Sequence, residues 1–470
     1  MVTKNQHKVS EFKTALAPRP NIKERIAIGK KLRKVFSLKA ISEYKPSKSR
    51  QDPIQTIIEQ DKNRLQDLVP IRHARMLQSP FAFLRGGAKV MINDIGHAPN
   101  TQIPVLANGD IHVSNFGIYA TAERNLVFSI NDFDETHPGA WEWDLKRLTA
   151  SAVVCARFLG ADKAECEGAV YAAVRTYREK MKEYTYQSFL DLWYTTIKVD
   201  EILTTLSPKA KKAMNEIVAS AKKNNQLSLF EKMSHSVNHR LEIKTKGPLL
   251  MQADQLETHH QTLKLLDQIF HSYKHSLNVD RQNLINRYQI LDLARKVVGV
   301  GSVGTRCWVI LLKGSDTFDP LFLQVKEADE SVLAPFTTLP LPFTNQGRRA
   351  VTGQRTIQGS PDIFLGWGEY EGTDFYIRQL SDMKGGMEFI PGTTKISNFI
   401  EYCHTCGWAL ALAHAKSGDA ATLHGYLGES SELEKAFTKF AFAYADQNDK
   451  DFEAMQIAAK SGRIQVAKKF

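Results

Sequence analysis

The forty residues 105–144 constrain this chain more than any other stretch, because they set Asp110, His112, Asn115, Asp132, Asp134 and Asp144 between short apolar runs. A turn needs one or two polar side chains to satisfy its backbone. Carboxylate and amide at this density point instead to chemistry. Asp110 and Asn115 lie five apart in a loop after the strand-like residues 103–106, and Asp132 follows residues 126–130, an apolar run short enough for a buried strand. Two acidic loops joined by a hairpin can converge on one point. Oxygen donors of this kind suit a hard cation such as Mg²⁺, which keeps several waters and needs few protein groups.

A second feature lies nearly two hundred residues later. Gly299, Gly301 and Gly304 form a G-x-G-x-x-G pattern. A dinucleotide-binding turn would open a helix at the last glycine. Here Cys307-Trp-Val-Ile-Leu-Leu312 follows, and β-branched and aromatic residues favour a glycine flap between two strands, of the kind that covers ATP phosphates. After a turn at residues 314–320 comes Leu321-Phe-Leu-Gln-Val-Lys326, so a lysine ends an otherwise apolar strand. Burying its ammonium costs too much unless an anion meets it.

The length, 470 residues, predicts two to four domains. Hydropathy and charge divide the chain into a basic leader (1–50), a part carrying the acidic loops (51–160), a helical subdomain (161–290), a β-rich part (291–392) and C-terminal helices (393–470). The leader holds fourteen Lys/Arg and three Asp/Glu, which accounts for the whole net charge of +11. Such a leader could touch nucleic acid or an anionic membrane surface, but no aromatic or Gly-rich RNA-binding pattern accompanies it, so residues 28–41 read as a solvated amphipathic segment instead. No apolar window is long enough for a membrane span, and the N-terminus lacks the apolar core of a secretory signal. With five scattered cysteines, this predicts a cytoplasmic protein. Cys403 and Cys406 share a helical face with Phe399 and Leu410, which predicts core packing rather than metal or redox chemistry. Asp144 has the character of a helix N-cap. Arg72, Arg75 and Arg85 are either phosphate ligands or partners of carboxylates.

The motifs RMLQSPFAFLRGGA, GDIHVSNFG, INDFDETHPGAWEWDLKRL, KVVGVGSVGTR, LFLQVKEA, RQLSDMKG and CGWALALAHAKSGD, in that order, resemble the bacterial family known as domain of unknown function 2252. That family is grouped with the protein-kinase-like superfamily. The resemblance implies an α+β fold of the aminoglycoside- or choline-kinase type, with a small antiparallel β lobe and a large helical lobe. In those kinases an H-G-D-x-H-x-x-N loop supplies a catalytic Asp and a metal-binding Asn. Here Asn108-Gly-Asp110-Ile-His112-Val-Ser-Asn115 is similar, with Asn108 in place of the first His. Asn131-Asp132-Phe133-Asp134 resembles their metal-binding segment, and Asp144 a later Asp that opens a helix. By this resemblance Asp110 and Lys326 are catalytic and Asn115, Asp132 and Asp134 hold Mg²⁺. Gly299, Gly301, Ser302, Gly304 and Lys326 would bind the phosphates of ATP.

The order differs from that of ordinary kinases, where flap and lysine precede the catalytic loop. A circular permutation accounts for this, with the helix ending at Ala411-Leu-Ala-His414 as the one that normally leads into that loop. An unpermuted assignment with Asp419 as the catalytic residue fails, because His424 stands where an Asn is required. A second departure is the acid that should pair with Lys326. No Glu occurs between Ser331 and Ser360, which leaves Gln354, Asp329 and Glu330. The expectation is an ATP- and Mg²⁺-dependent phosphotransferase acting on a small-molecule or protein hydroxyl. The alternatives are an inactive, pseudokinase-like nucleotide-binding regulator and a protein nucleotidyltransferase. No motif names the acceptor.

Overall fold

The computed structural model describes residues 20–237, 240–256, 259–316 and 319–468. It is a mixed α+β structure in which an antiparallel sheet leans on a larger helical body. The body is built on α6 (Trp141–Phe158), α7 (Lys163–Thr185), α10 (Ile396–Ser417), α11 (Ala420–Leu427) and α12 (Glu432–Lys460). Their apolar stripes close on one core, in which Trp141 stacks on Tyr177 at 5.9 Å beside Phe437. Cys403 and Cys406 are buried in that core on α10.

Part of the basic leader belongs to this body. Residues 22–35 form α1 (Ile22–Val35), opened by a capping box in which Asn21 and Glu24 exchange hydrogen bonds. It lies against α11 so closely that a Cβ on Gly29 would come within 2.0 Å of the Thr422 carbonyl oxygen. Arg25 pairs with Asp419 at 2.8 Å, and Arg33 donates to the Leu427 carbonyl at 2.7 Å. Its cations therefore cap a neighbouring helix rather than serve only as a solvated face. Residues 1–19 of the leader lie outside the described residues.

After a five-residue helix at Leu38–Ser42 come four more short ones: α2 (Pro53–Asp61), α3 (Val69–Met76), α4 (Pro80–Gly86) and α5 (Ala88–Ile95). Between α5 and α6 the chain makes two antiparallel pairs. β1 (Pro104–Ala107) pairs with β4 (His137–Ala140), and β2 (Phe116–Ala120) with β3 (Leu126–Ile130), on which β5 (Ile197–Lys198) lies.

The region expected to be a helical subdomain also contributes strands. β6 (Ser234–Val237) and β7 (Arg240–Ile243) form a hairpin, and β8 (Leu250–Gln252) is an edge of the main sheet. They are three or four residues long, which hides them from a hydrophobic-periodicity reading. The main sheet runs β12-β13-β11-β10-β9-β8, with β9 (Gln289–Lys296), β10 (Cys307–Lys313), β11 (Pro320–Glu327), β12 (Gly366–Tyr370) and β13 (Thr373–Gln379), all antiparallel. One face packs Trp308, Ile310 and Leu323 with Ile269 and Tyr273 of α8 (His259–Ser276). The other gathers Val309, Leu311 and Phe322. β11 is buried along its whole length, as a strand covered on both faces must be. After it comes α9 (Gln346–Gln358), N-capped by Asn345. No helix among the described residues is long and apolar enough to cross a membrane.

Candidate active site

The two short strand pairs hold the acidic loops in register. The Asn131 amide donates to the Asn115 carbonyl at 3.1 Å, and Asn108 Nδ2 donates to the Asp132 carbonyl at 2.8 Å. Asn115 Nδ2 in turn donates to the Asp110 carbonyl at 2.8 Å, leaving its Oδ1 without a donor among the described residues. The turn at Gly109 has φ +80°, and its amide and that of Asn108 donate to the Asp144 carboxylate at 2.8 and 2.7 Å. Asp144 is therefore not an N-cap: α6 begins at Trp141, and the carboxylate on its first turn anchors the loop before Asp110 instead. His414 at the end of α10 adds a contact to Asp144 at 3.1 Å, and Tyr177 donates to or accepts from the other ring nitrogen at 2.8 Å.

Asp110, Asn115, Asp132 and Asp134 line one cleft of about 390 Å³, and Gly299, Gly301 and Ser302 line it from the β9–β10 turn. Lys326, at the end of β11, donates to Asp134 and lies 4.0 Å from Asp132. Ser302 donates to Asp134 at 3.3 Å, and Tyr376 of β13, paired across from Lys326, donates to its other oxygen at 2.7 Å. Gly304 is not brought to the cleft; its carbonyl accepts from the Leu65 amide at 2.8 Å. The turn is also held from outside, by Arg64 on the Val303 carbonyl at 2.5 Å and Arg75 on that of Gly299. Of the arginines left open by the sequence, Arg72 is a structural partner, fully buried on Asp61 at 2.7 Å and on the Gly86 carbonyl. Arg85 lines the cleft, with its guanidinium 5.9 Å from the Phe81 ring. Asp419 caps α11 and pairs with Arg25, apart from the cleft.

The charges are unevenly balanced. Burial raises the Asp110 carboxyl to about 6, although Arg147 of α6 pairs with it at 2.5 Å and works against the rise. Burial and the neighbouring Asp134 raise Asp132, whereas Lys326 and Tyr376 hold Asp134 below the usual carboxylate range against the same burial. Burial alone would lower the Lys326 ammonium, but the two carboxylates hold it well above its ordinary value. Glu135, the next acid in the loop, is pushed by burial to about 7 and accepts from the Val332 amide at 2.7 Å.

No Glu from α9 meets Lys326. What α9 supplies is Arg349, fully buried, which donates to the carbonyls of Asp134 and Thr136 at 2.7 Å and of Asp329 at 2.8 Å. A cation on carbonyls holds the Asp134 loop from the position where an acid was sought. Arg147, Tyr376 and Arg349 escape a sequence reading. The one signal available for Arg147 is an arginine on a face of α6 that also carries Trp143, Ala150 and Val154.

Oxygen donors make up the cleft. Among the described residues no three His, Cys, Asp or Glu side chains group closely enough to chelate an ion unaided. The protein's share toward Mg²⁺ would be two carboxylates and the Asn115 amide oxygen, with water and phosphate completing the shell, a donor set that fits this ion.

Residues 64–458 match the model of a family described as an uncharacterized protein conserved in bacteria (DUF2252). The chain belongs to that family. No curated protein and no solved structure matches it.

Proposed function

We propose that the chain is an ATP- and Mg²⁺-dependent phosphotransferase with a circularly permuted, protein-kinase-like fold, acting on a small-molecule or protein hydroxyl. The observation that carries this reading is the meeting of two distant segments at Asp134: Lys326 from β11 and Ser302 from the glycine turn both donate to it. Kinases set a glycine-rich turn over the phosphates and a lysine on the third strand. Here the turn joins β9 to β10, and β11, the next strand, carries Lys326. The end of α10 supports the permutation. Ser417 Oγ accepts from the Leu106 amide at 3.1 Å, so this helix abuts the strand that enters the Asp110 loop.

Asp110 accepts the proton of, or orients, the attacking hydroxyl, a role that contributes about 10²–10⁴-fold. Arg147 keeps its carboxylate oriented and partly ionised. Lys326 and the backbone amides of the glycine turn orient the phosphates, and positioning of this sort carries most of phosphoryl transfer. Asn115, Asp132 and Asp134 would hold Mg²⁺, which when bound neutralises charge on the phosphate oxygens.

Incubation with Mg·ATP tests this. Turnover lost in Asp110→Asn, with nucleotide-induced thermal stabilisation retained, is the expected result. Stabilisation without turnover in the wild-type chain would favour a nucleotide-binding regulator, a reading that gains from the lack of a Glu partner for Lys326. Intact-mass analysis separates phosphate transfer from addition of AMP.

A further inference from the structure

A second cavity of about 290 Å³ shares no lining residue with the cleft, although it reaches Asn131, the neighbour of Asp132. Phe116, Ile118, Tyr119 and Met387 make one part of its wall apolar, and Arg378 and Lys384 bring two cations to it. The Lys384 ammonium has no hydrogen-bond or ion-pair partner among the described residues. Arg378 meets neutral acceptors, the Gln324 side chain at 3.4 Å and the Asn131 carbonyl at 3.2 Å.

The carboxylates in the wall are already committed. Asp382 pairs with Arg124 at 2.8 Å, and Asp362 accepts from the Phe364 amide and from the amide and side chain of Gln379. Asp132, the next carboxylate outward, lies in the cleft, where it shares Lys326 with Asp134. Against burial, Tyr376 and the carboxylates of Asp132, Asp134 and Asp362 hold Arg378 above its ordinary value, whereas Lys384, the other cation in the wall, has no carboxylate at ion-pair distance among the described residues. Burial, with Arg378 beside it, pushes the Lys384 ammonium down to about 7, against the pull of Asp362, Asp132 and Asp382. A bound carboxylate would give the half-buried Lys384 ammonium the partner it lacks.

We propose that this cavity is a binding site for a small organic monoanion, a carboxylate on a compact apolar body, with the body against Phe116, Ile118 and Met387 and the carboxylate at Lys384 and Arg378. A phosphate dianion would leave the apolar side bare. The site is independent of the phosphotransferase reading.

Calorimetry and thermal melts of the full chain with benzoate and hexanoate, each against its neutral amide, test the proposal. At least one acid should bind about tenfold or more tightly than its amide. Lys384→Met should abolish that preference and melt above wild type without ligand, while Lys384→Arg keeps the preference. Equal binding of acid and amide, no binding of either acid, or a preference that survives Lys384→Met overturns the site. Loss of Mg·ATP stabilisation in Lys384→Met also overturns it, since the cavity would then belong to the nucleotide. If the Met variant does not fold, the ratio of acid to amide on wild type still decides.

Discussion

Asp110 is half-buried and ion-paired, and the balance of desolvation against that pairing sets the pH at which it ionises. Burial wins and lifts the group to about 6, while Arg147 limits the rise. A general base must be deprotonated, so kcat/KM should climb with pH through about 6 and level off above it. Arg147→Met removes the cation that favours the charged form, so the same limb should move to higher pH. A pH–rate profile of both proteins measures this, and a limb that stays in place would refute the pairing. The stability sign is opposite. The native state binds this proton more tightly than the unfolded chain, so Asp110 withdraws stability as pH rises from the ordinary Asp range through 6. Asp110, Asn115, Asp132 and Lys326 stood out in the sequence because carboxylates are crowded there and a lysine ends an apolar strand. Arg147 and Tyr376 did not, since an arginine on a helix and a tyrosine on a strand have ordinary uses. The site carboxylates draw on both kinds of residue.

At the scale of elements, the docking of α1 on α11 depends on a backbone approach that only glycine allows. Gly29→Ala should lower stability by about 1–3 kcal/mol, the usual range for overpacking. Gly168→Ala on α7 is the control, because a Cβ there meets Ile400 at an ordinary 3.4 Å and helix propensity favours Ala. Denaturant melts of the two should diverge; equal midpoints would mean that α1 is not held by this contact. The long helices and the two strands β10 and β11 were legible, because strong periodicity and apolar runs mark them; β9, with Asp292, Arg295 and Lys296 among its eight residues, was not. Nor was α9. Its two glycines, three arginines and β-branched residues weaken the helical pattern, and what secures it is Asn345 at its start and Arg349 on the Asp134 loop. Charge density alone likewise hid that residues 22–35 pack against a partner.

At the scale of the molecule, the cleft exists only where the sheet meets the helical body. A ligand touching both should stabilise their contact: Mg·ATP at a hundred times its Kd adds about 2.7 kcal/mol to unfolding. A chelator should remove that gain, and Asp132→Asn should reduce it; thermal melts with and without EDTA report both, and a gain indifferent to EDTA would rule Mg²⁺ out. The family resemblance implied a mixed α+β molecule, but chain order does not give spatial order. The abutment of α10 on β1 joins positions 311 apart in sequence and could be read only from coordinates. The same separation governs how the protein is made. Asp134 leaves the ribosome 192 residues ahead of Lys326, which at bacterial and eukaryotic elongation rates is roughly 10–40 s. Throughout that interval the nascent acidic loop has no ammonium to neutralise it, so it stays hydrated and open until translation delivers its counter-charge.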